Sequence, residues 1–229
     1  MNSKASRKES VRQARKEMYR QLIFEAAERV FAEQGFDGAK MQDVAAEAGL
    51  SLGTLYAIFA GKAELFQAIH ESRGRQLIEH ARAEASRFED VTEQLLHGLR
   101  AYVEFLLDHP HFLRIHLDDA RVLAIGRSSQ AVVETEEGAG TEVDFVAESM
   151  HRAMSEGALY DDDPVLMARL TIATQQVLLA DHLERPDGGD REKLLDRLET
   201  YVKRTFVKPT AVAELETRAD ARATAATTA

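Results

Sequence analysis

The 229-residue chain has no cysteine, which excludes disulfide bridges and thiolate chemistry. It has only four prolines, and three of them (Pro110, Pro164 and Pro186) stand where a helix would start or stop. No run approaches the roughly 18 uninterrupted apolar residues that a membrane span needs. Met1 to Arg20 is mostly polar and basic, without the apolar run of a signal peptide. No segment alternates apolar and polar residues as a half-buried strand does, and no internal repeat is visible. A nucleophile elbow, phosphate loop, zinc signature and dinucleotide fingerprint are all missing, which leaves little room for a helical enzyme. These absences predict a cytoplasmic, all-α protein with no membrane partner, no metal and no cofactor.

What is present is a 45% hydrophobic share, enough for a real core, and an uneven charge. The net charge is −10, yet residues 1–20 carry seven basic side chains against Glu9 and Glu17, a local +5. Residues 1–62 together carry +2, so the remainder holds −12. A basic end on an acidic body can present one face to phosphate and repel nucleic acid elsewhere; a solvated basic tail is the plainer reading.

Helical periodicity runs from about Lys16 to Phe206. Leu22, Ile23, Ala26, Ala27, Val30 and Phe31 form one buried stripe, closed by Gly35, a cheap left-handed cap. Shorter helices are expected at 41–48 and 52–59, and a long one from Lys62 into the 86–89 region. Asp90-Val91-Thr92-Glu93 has the form of a capping box for the next helix, which Pro110 breaks. Residues 126–141 read as a loop. Helices follow at about 142–155, 165–183 (opened by Asp163-Pro164) and 190–206. Beyond Lys208 the chain is Ala, Thr and charge, which predicts disorder.

Residues 41–60, MQDVAAEAGLSLGTLYAIFA, carry the strongest signal. Two short helices crossing steeply need apolar residues at fixed offsets and a glycine in the turn. Val44, Ala48, Leu50, Leu55 and Ile58 supply the inward set, and Ala45 is small where the helices approach. Gly49 can take a positive φ, and Ser51 can cap the second helix. That is a helix-turn-helix; an ordinary helical hairpin is the bland alternative.

Over residues 20–70 the chain resembles the tetracycline-repressor (TetR) family. The matching positions include Ala26, Ala27, Phe31, Gly35, Phe36, Val44, Ala45, Ala48, Gly49, Ser51, Gly53, Thr54, Leu55, Tyr56, Phe59, Lys62, Leu65 and Phe66. Two positions depart from the family pattern. Lys40 stands where a hydroxyl commonly opens the second helix, and Leu52 is apolar where many relatives are polar. The resemblance implies a basic flexible arm (1–16), a three-helix DNA-binding domain with a helix-turn-helix (17–62), a helical ligand-binding and dimerisation domain (63–207), and a disordered tail (208–229). It implies a repressor that binds a palindromic operator in double-stranded DNA as a homodimer. DNA contacts would fall to Lys40, Gln42, Ser51, Leu52, Gly53, Thr54, Tyr56 and Lys62, with Thr54 nearest the bases and Tyr56 and Lys62 on phosphate. Arg15, Lys16 or Arg20 would hold the flank.

The helix from 165 to 183 is apolar on more than one face: Leu166, Leu170, Ala173, Val177 and Ala180 on one, Val165, Ile172, Leu179 and Leu183 on another. Leu194, Leu198, Tyr201 and Val202 add a stripe on the last helix. In the family such helices pair between protomers; an internal core position is the alternative. An inducer pocket would be lined by Tyr102, Phe105, Phe112, Phe145, Met150 and Met154, with His109, His116, His151 and Gln175 as polar contacts. That lining suits a small hydrophobic or aromatic ligand, although an aromatic and Met stripe at helical spacing is more often plain core. The spacing of His109, His111 and His116 straddles Pro110 and does not gather a metal site. Control by a protein partner in place of a small molecule is the other reading of the body.

Overall fold

The computed structural model describes residues 3–118, 142–185 and 189–228, so the 126–141 loop expectation lies outside the described residues. The protein is all-α. Its helices are α1 (Ser3–Gly38), α2 (Met41–Glu47), α3 (Leu52–Tyr56), α4 (Lys62–Ala85), α5 (Val91–Asp108), α6 (Pro110–Asp118), α7 (Glu142–Ser155), α8 (Pro164–Leu183), α9 (Arg191–Phe206) and α10 (Pro209–Thr228). The only extended pairing among the described residues is a single bridge between Leu159 and Val207.

The chain divides into two compact units, and the division falls inside α4 after Arg73, not at the expected residue 62. The first unit comprises the described residues of Met1–Arg73 together with α6. Its centre is built by Ile23, Ala26, Ala27 and Phe31 of α1, Val44 of α2, Leu55 of α3 and Leu65 and Ile69 of α4, all essentially inaccessible to solvent. α6 packs on α1 and adds Phe112, Leu113 and Ile115 to the buried set. A bidentate ion pair joins α1 to α4, with Arg73 Nε donating to Glu28 Oε1 at 2.6 Å and its Nη2 to Oε2 at 3.0 Å. Glu28 is buried, so this pair satisfies a carboxylate that would otherwise be costly inside the unit.

Gly35 breaks α1 with φ 68° and ψ 169°, as its sequence position predicts, and one further turn carries the helix to Gly38. At its other end α1 continues to Ser3, so residues 3–16, expected as a flexible arm, are helical. Lys, Arg, Gln, Glu and Ala in that stretch are all good helix formers, and α1 itself supplies the nucleus they extend.

The α2–α3 turn closes by two backbone bonds. Leu50 N–H donates to Ala45 O at 2.9 Å and Gly49 N–H to Ala46 O at 3.1 Å, the paired pattern of a left-handed helix stop. Gly49 holds φ +66°, which a side chain makes expensive. Val44 and Leu55 are buried as expected, whereas Ala48, Leu50 and Ile58 are only half-buried.

The second unit is formed by the later part of α4 with α5, α7, α8, α9 and α10. α7 packs on α8 and α5, while α9 packs on α8 and α5. Asp163 caps α8 by accepting Val165 N–H at 2.9 Å and Leu166 N–H at 3.3 Å, and Pro164 follows it as expected. Asp90 accepts the Thr92 and Glu93 amides at 3.0 Å each, which is half of the expected capping box. The other half is diverted, because Glu93 receives both guanidinium nitrogens of Arg222 at 2.7 and 2.9 Å.

That pair belongs to a correction. Residues 208–229 were expected to be disordered, yet Pro209–Thr228 form α10, which packs on α5. Ala211, Leu215, Arg218 and Arg222 fall on one helical face. The first two are buried, Arg218 pairs with Asp90, and Arg222 lies over the Phe88 ring at 5.7 Å. Ion pairs at the helix surface take the place of the apolar area that the tail lacks. Burial pushes the Asp90 carboxyl up, but the bond from Arg218 and the two amides outweigh it and hold it below its ordinary value.

Gly49→Ala should lower the stability of the first unit by about 1–2 kcal/mol through backbone strain alone. No heavy atom lies within 4 Å of where the new Cβ would stand, so no collision contributes. Thermal denaturation of Gly49→Ala and Gly49→Asn checks this: Asn should lose less, and an unchanged melting temperature in the Ala variant would contradict it.

Candidate nucleic-acid interface

Five residues make a helix too short to stand alone, so α3 must be held from below and from its ends. Leu55 and, just past the helix, Phe59 are its buried anchors. The Phe59 ring stacks on Phe24 of α1 at 5.7 Å, and the Arg20 guanidinium covers both rings at 5.3 and 5.0 Å. At the front, Ser51 Oγ accepts the Thr54 N–H at 3.1 Å and lies 2.8 Å from Thr54 Oγ1. These contacts leave the outer face of α3 free. Ser51, Gly53 and Tyr56 are exposed, Tyr56 to 48%, and Leu52 and Thr54 are half-buried. Lys40 and Gln42, at the start of α2, are exposed as well. Lys40 makes no side-chain cap there, as its departure from a hydroxyl implies.

Lys62 has a different task from the expected phosphate contact. Its Nζ donates to three backbone carbonyls, Phe36 O at 2.5 Å, Asp37 O at 3.1 Å and Ala39 O at 3.1 Å. An ammonium has three donors, so all are occupied. The same group lies 4.6 Å from the centre of the Phe36 ring. Lys62 therefore ties the start of α4 to the chain just beyond the Gly35 break, satisfying carbonyls that the end of α1 leaves open.

An open groove of about 670 Å³ runs beside α3, with Arg12, Arg15, Lys16 and Tyr19 of α1 on one wall and Ser51 and Thr54 among the residues of the other. Sequence reasoning placed basic side chains near the DNA flank but gave no sign that a helical extension would form a wall.

The residues assigned to a ligand are divided between the two units. Phe112 and His116 belong to the first unit, both buried, with His116 5.9 Å from the Phe112 ring, and His109 also falls in that unit. Tyr102, Phe105, Phe145 and Met150 are buried in the second unit, and Met154 is half-buried. Tyr102 donates its hydroxyl to Glu142 at 2.7 Å, and burial, then the Glu142 charge and bond, push that phenol well above its ordinary value. His151 is exposed. Gln175 is 1% exposed, yet among the described residues neither its amide nitrogen nor its amide oxygen has a hydrogen-bond partner.

The two stripes assigned to dimerisation fare differently. On α8, Leu166, Leu170 and Val177 are 47%, 48% and 68% exposed, with Ala173 and Ala180 half-buried between them. On α9, Leu194, Leu198 and Val202 are buried inside the protomer and only Tyr201 is exposed. The α9 stripe is therefore core, because it faces α5 and α8 of its own chain.

A buried platform carrying a capped short helix with an exposed polar face, joined through a glycine turn, is the helix-turn-helix of a DNA-binding transcription regulator. The profile described as "Bacterial regulatory proteins, tetR family" matches residues 23–69. The chain is 28% identical over 200 residues to the HTH-type transcriptional repressor AcnR of Corynebacterium diphtheriae, covering 81% of this chain and 92% of AcnR. A TetR-family regulator from Pectobacterium atrosepticum superposes with a TM-score of 0.59 at 28% identity, covering 86% of this chain and 98% of that one. AibR, solved in complex with isovaleryl coenzyme A and operator DNA, shares the fold with a TM-score of 0.62 at 20% identity, over 79% of this chain and 96% of its own. Residues 23–69 carry the DNA-binding domain of the tetR family of bacterial regulatory proteins, and the chain is a transcriptional regulator. No described helix is long and apolar enough to cross a membrane.

Lys62→Ala should act on stability before it acts on DNA. Losing charge-assisted bonds to three carbonyls should cost roughly 2–3 kcal/mol. The slope of log affinity against log salt should stay as in the wild type wherever the variant is folded. An unchanged melting temperature with a slope flatter by about 0.9 would return Lys62 to the phosphate role.

Proposed function

We propose that the protein is a repressor that holds a near-palindromic operator as a homodimer and releases it when a small hydrophobic or aromatic ligand binds its body. The observation that carries the DNA reading is the presentation of α3. Its buried side is fixed by Leu55 and Phe59, while Ser51, Gly53 and Tyr56 face outward. Gly53 lets the backbone approach the duplex, and the Thr54 side chain offers a methyl group to thymine and a hydroxyl to a base edge. Tyr56 and the exposed Lys40 and Gln42 reach phosphate, which sets register without reading sequence.

The α8 stripe supports the dimer. Leu166, Leu170, Ala173, Val177 and Ala180 follow one another at three- and four-residue steps, so they form a continuous apolar line down one side of the helix. Their opposite side, with Ile172 and Leu179, is already buried in the protomer. A second copy of the chain covers such a line at least cost, because a twofold axis sets the same stripe against itself. Two recognition helices about 34–36 Å apart then enter successive major grooves, which makes the operator a near-palindrome.

Gln175 supports the ligand. A buried primary amide without partners among the described residues is unfavourable by about 1–3 kcal/mol, and a polar group on an otherwise apolar molecule would relieve it. AibR is a member of the same fold solved with both an acyl coenzyme A and operator DNA. A ligand shifts DNA affinity only through unequal binding to two states of the protein, and coupling of about 1–3 kcal/mol would weaken operator binding 5- to 150-fold.

Two measurements test this reading. Thr54→Val keeps the methyl group and removes the hydroxyl, so it should change the ranking of operator variants by roughly 1–3 kcal/mol if the hydroxyl meets a base. Tyr56→Phe should weaken binding to all sequences alike. Identical rankings in Thr54→Val and the wild type would remove the Thr54 hydroxyl from base reading. Val177→Glu should shift the light-scattering mass from twice the 25.5 kDa protomer to the protomer itself, with the helical content kept. A monomeric wild-type protein at micromolar concentration would overturn the dimer. Leu198 cannot serve as the probe, since it is buried in its own chain and a charge there would unfold the unit.

A further inference from the structure

Helix α10 is held differently at its two ends. Its start is pinned by backbone, because Tyr160 N–H donates to Phe206 O at 3.0 Å and Lys208 N–H donates to Ala158 O at 2.9 Å. Ala211 and Leu215 then supply its buried contact, and its other described side chains stand partly or fully in solvent. The later part is held by charge. Arg218 pairs with Asp90, and Arg222 gives Glu93 two bonds, at 2.7 and 2.9 Å. The Glu93 carboxylate is buried while Arg222 is exposed, so the pair acts as a clip over the first turn of α5.

This clip reaches an ionisable ring one turn further along α5. His97 follows Glu93 by four residues, which puts both on one face of the helix. Its imidazole lies flat on Phe88, with ring centres 3.7 Å apart and planes 6° apart, and Arg222 lies over the same ring at 5.7 Å. The charges around it are Glu93 and Arg100 of α5, Glu199 of α9 and Arg222 of α10. Burial holds the imidazole below its ordinary value; Glu199 and Glu93 oppose this, while Arg100 and Arg222 add to it. With α10 in place, His97 is neutral at pH 7.

We propose that His97 is a proton-operated release for α10: acid charges the ring, opens the Arg222–Glu93 clip and frees the end of the helix from α5. The imidazolium repels the Arg222 guanidinium and competes for the carboxylate that Arg222 holds. Once the clip opens, Arg222 is gone, Glu93 is unpaired and the Phe88 face is no longer shared with a second cation. All three changes make the ring bind its proton more tightly. The proton therefore favours the open state through its unequal affinity for the two. Attachment is complete above the ordinary imidazole value, about 6.5, and is lost as pH falls from there through the lower value of the closed form. Asp90, held below its own ordinary value, keeps its charge over this range, so the helix opens from its Arg222 end. The device lies entirely in the second unit and is independent of the DNA and ligand readings above.

The test compares full-length wild type, His97→Phe and Arg222→Gln by amide hydrogen exchange at pH 7.5 and 5.5 and constant ionic strength. Protection factors are corrected for the intrinsic pH dependence of exchange. A helix end that leaves its support frays, so wild-type protection beyond Arg218 should fall roughly fivefold or more at the lower pH. Protection of α8 should hardly change. His97→Phe keeps a flat ring against Phe88 without a titratable group, so its α10 protection should be the same at both pH values. Arg222→Gln should be weakly protected at both. An NMR titration of His97 should give a value below the ordinary one in wild type and a higher one in Arg222→Gln, a readout that does not depend on His97→Phe folding. Wild-type α10 protection that is equal at both pH values would overturn the proposal. So would an undiminished acid loss in His97→Phe, or a His97 value that Arg222→Gln leaves in place or lowers.

Discussion

The left-handed turn at Gly49 is the constraint on which the first unit depends. α3 is five residues long, and its direction is set by where α2 stops and by what lies under it. The Leu50 and Gly49 amides bond back to Ala45 and Ala46, which ends α2 abruptly and lets Ser51 open α3 two residues later. Leu55 and Phe59 then lock the helix onto α1 through Phe24. With that angle fixed, the exposed side of α3 becomes a rigid surface, and rigid surfaces read bases better than mobile ones.

Charge is divided along the same lines. The chain is acidic in sum, but its first 20 residues are strongly basic. Within the first unit two groups of cations have distinct settings. Arg20, Arg29, Lys62 and Arg73 are spent on rings, carboxylates and carbonyls, and hold α1, α2 and α4 together. Arg12, Arg15 and Lys16 stand in solvent beside α3. In the second unit, charge is used to attach a helix: Arg218 and Arg222 bind α10 to Asp90 and Glu93, where apolar area alone is small. An acidic body also disfavours contact with DNA away from the basic end.

Much of this is legible in the sequence, and the rest fails for identifiable reasons. The helix-turn-helix is legible because glycine, serine and apolar residues at fixed offsets are required by backbone geometry before any partner exists. Asp163-Pro164 and Gly35 are legible for the same local reason. The task of Lys62 is not, since only the fold brings residues 36, 37 and 39 within reach of its ammonium. Nor is α10, because its anchoring stripe is two small or medium apolar residues and two arginines, a pattern that composition counts as solvated. The stripe proposed for dimerisation is half legible: periodicity finds apolar faces on both α8 and α9, but only tertiary packing decides that Leu194, Leu198 and Val202 turn inward while Val177 turns out. The ligand candidates share this limit of periodicity, since aromatic and histidine residues close in sequence fall into different units.

The central claim is that two copies of α3 read two symmetric half-sites. Selection of tightly bound duplexes from a randomised pool, followed by sequencing, tests it most directly. The account predicts enrichment of an inverted repeat whose half-site centres lie about one helical turn apart, roughly 10–10.5 base pairs, or a multiple of it. Enrichment of a single unrepeated site, or no enrichment at moderate salt, would contradict it.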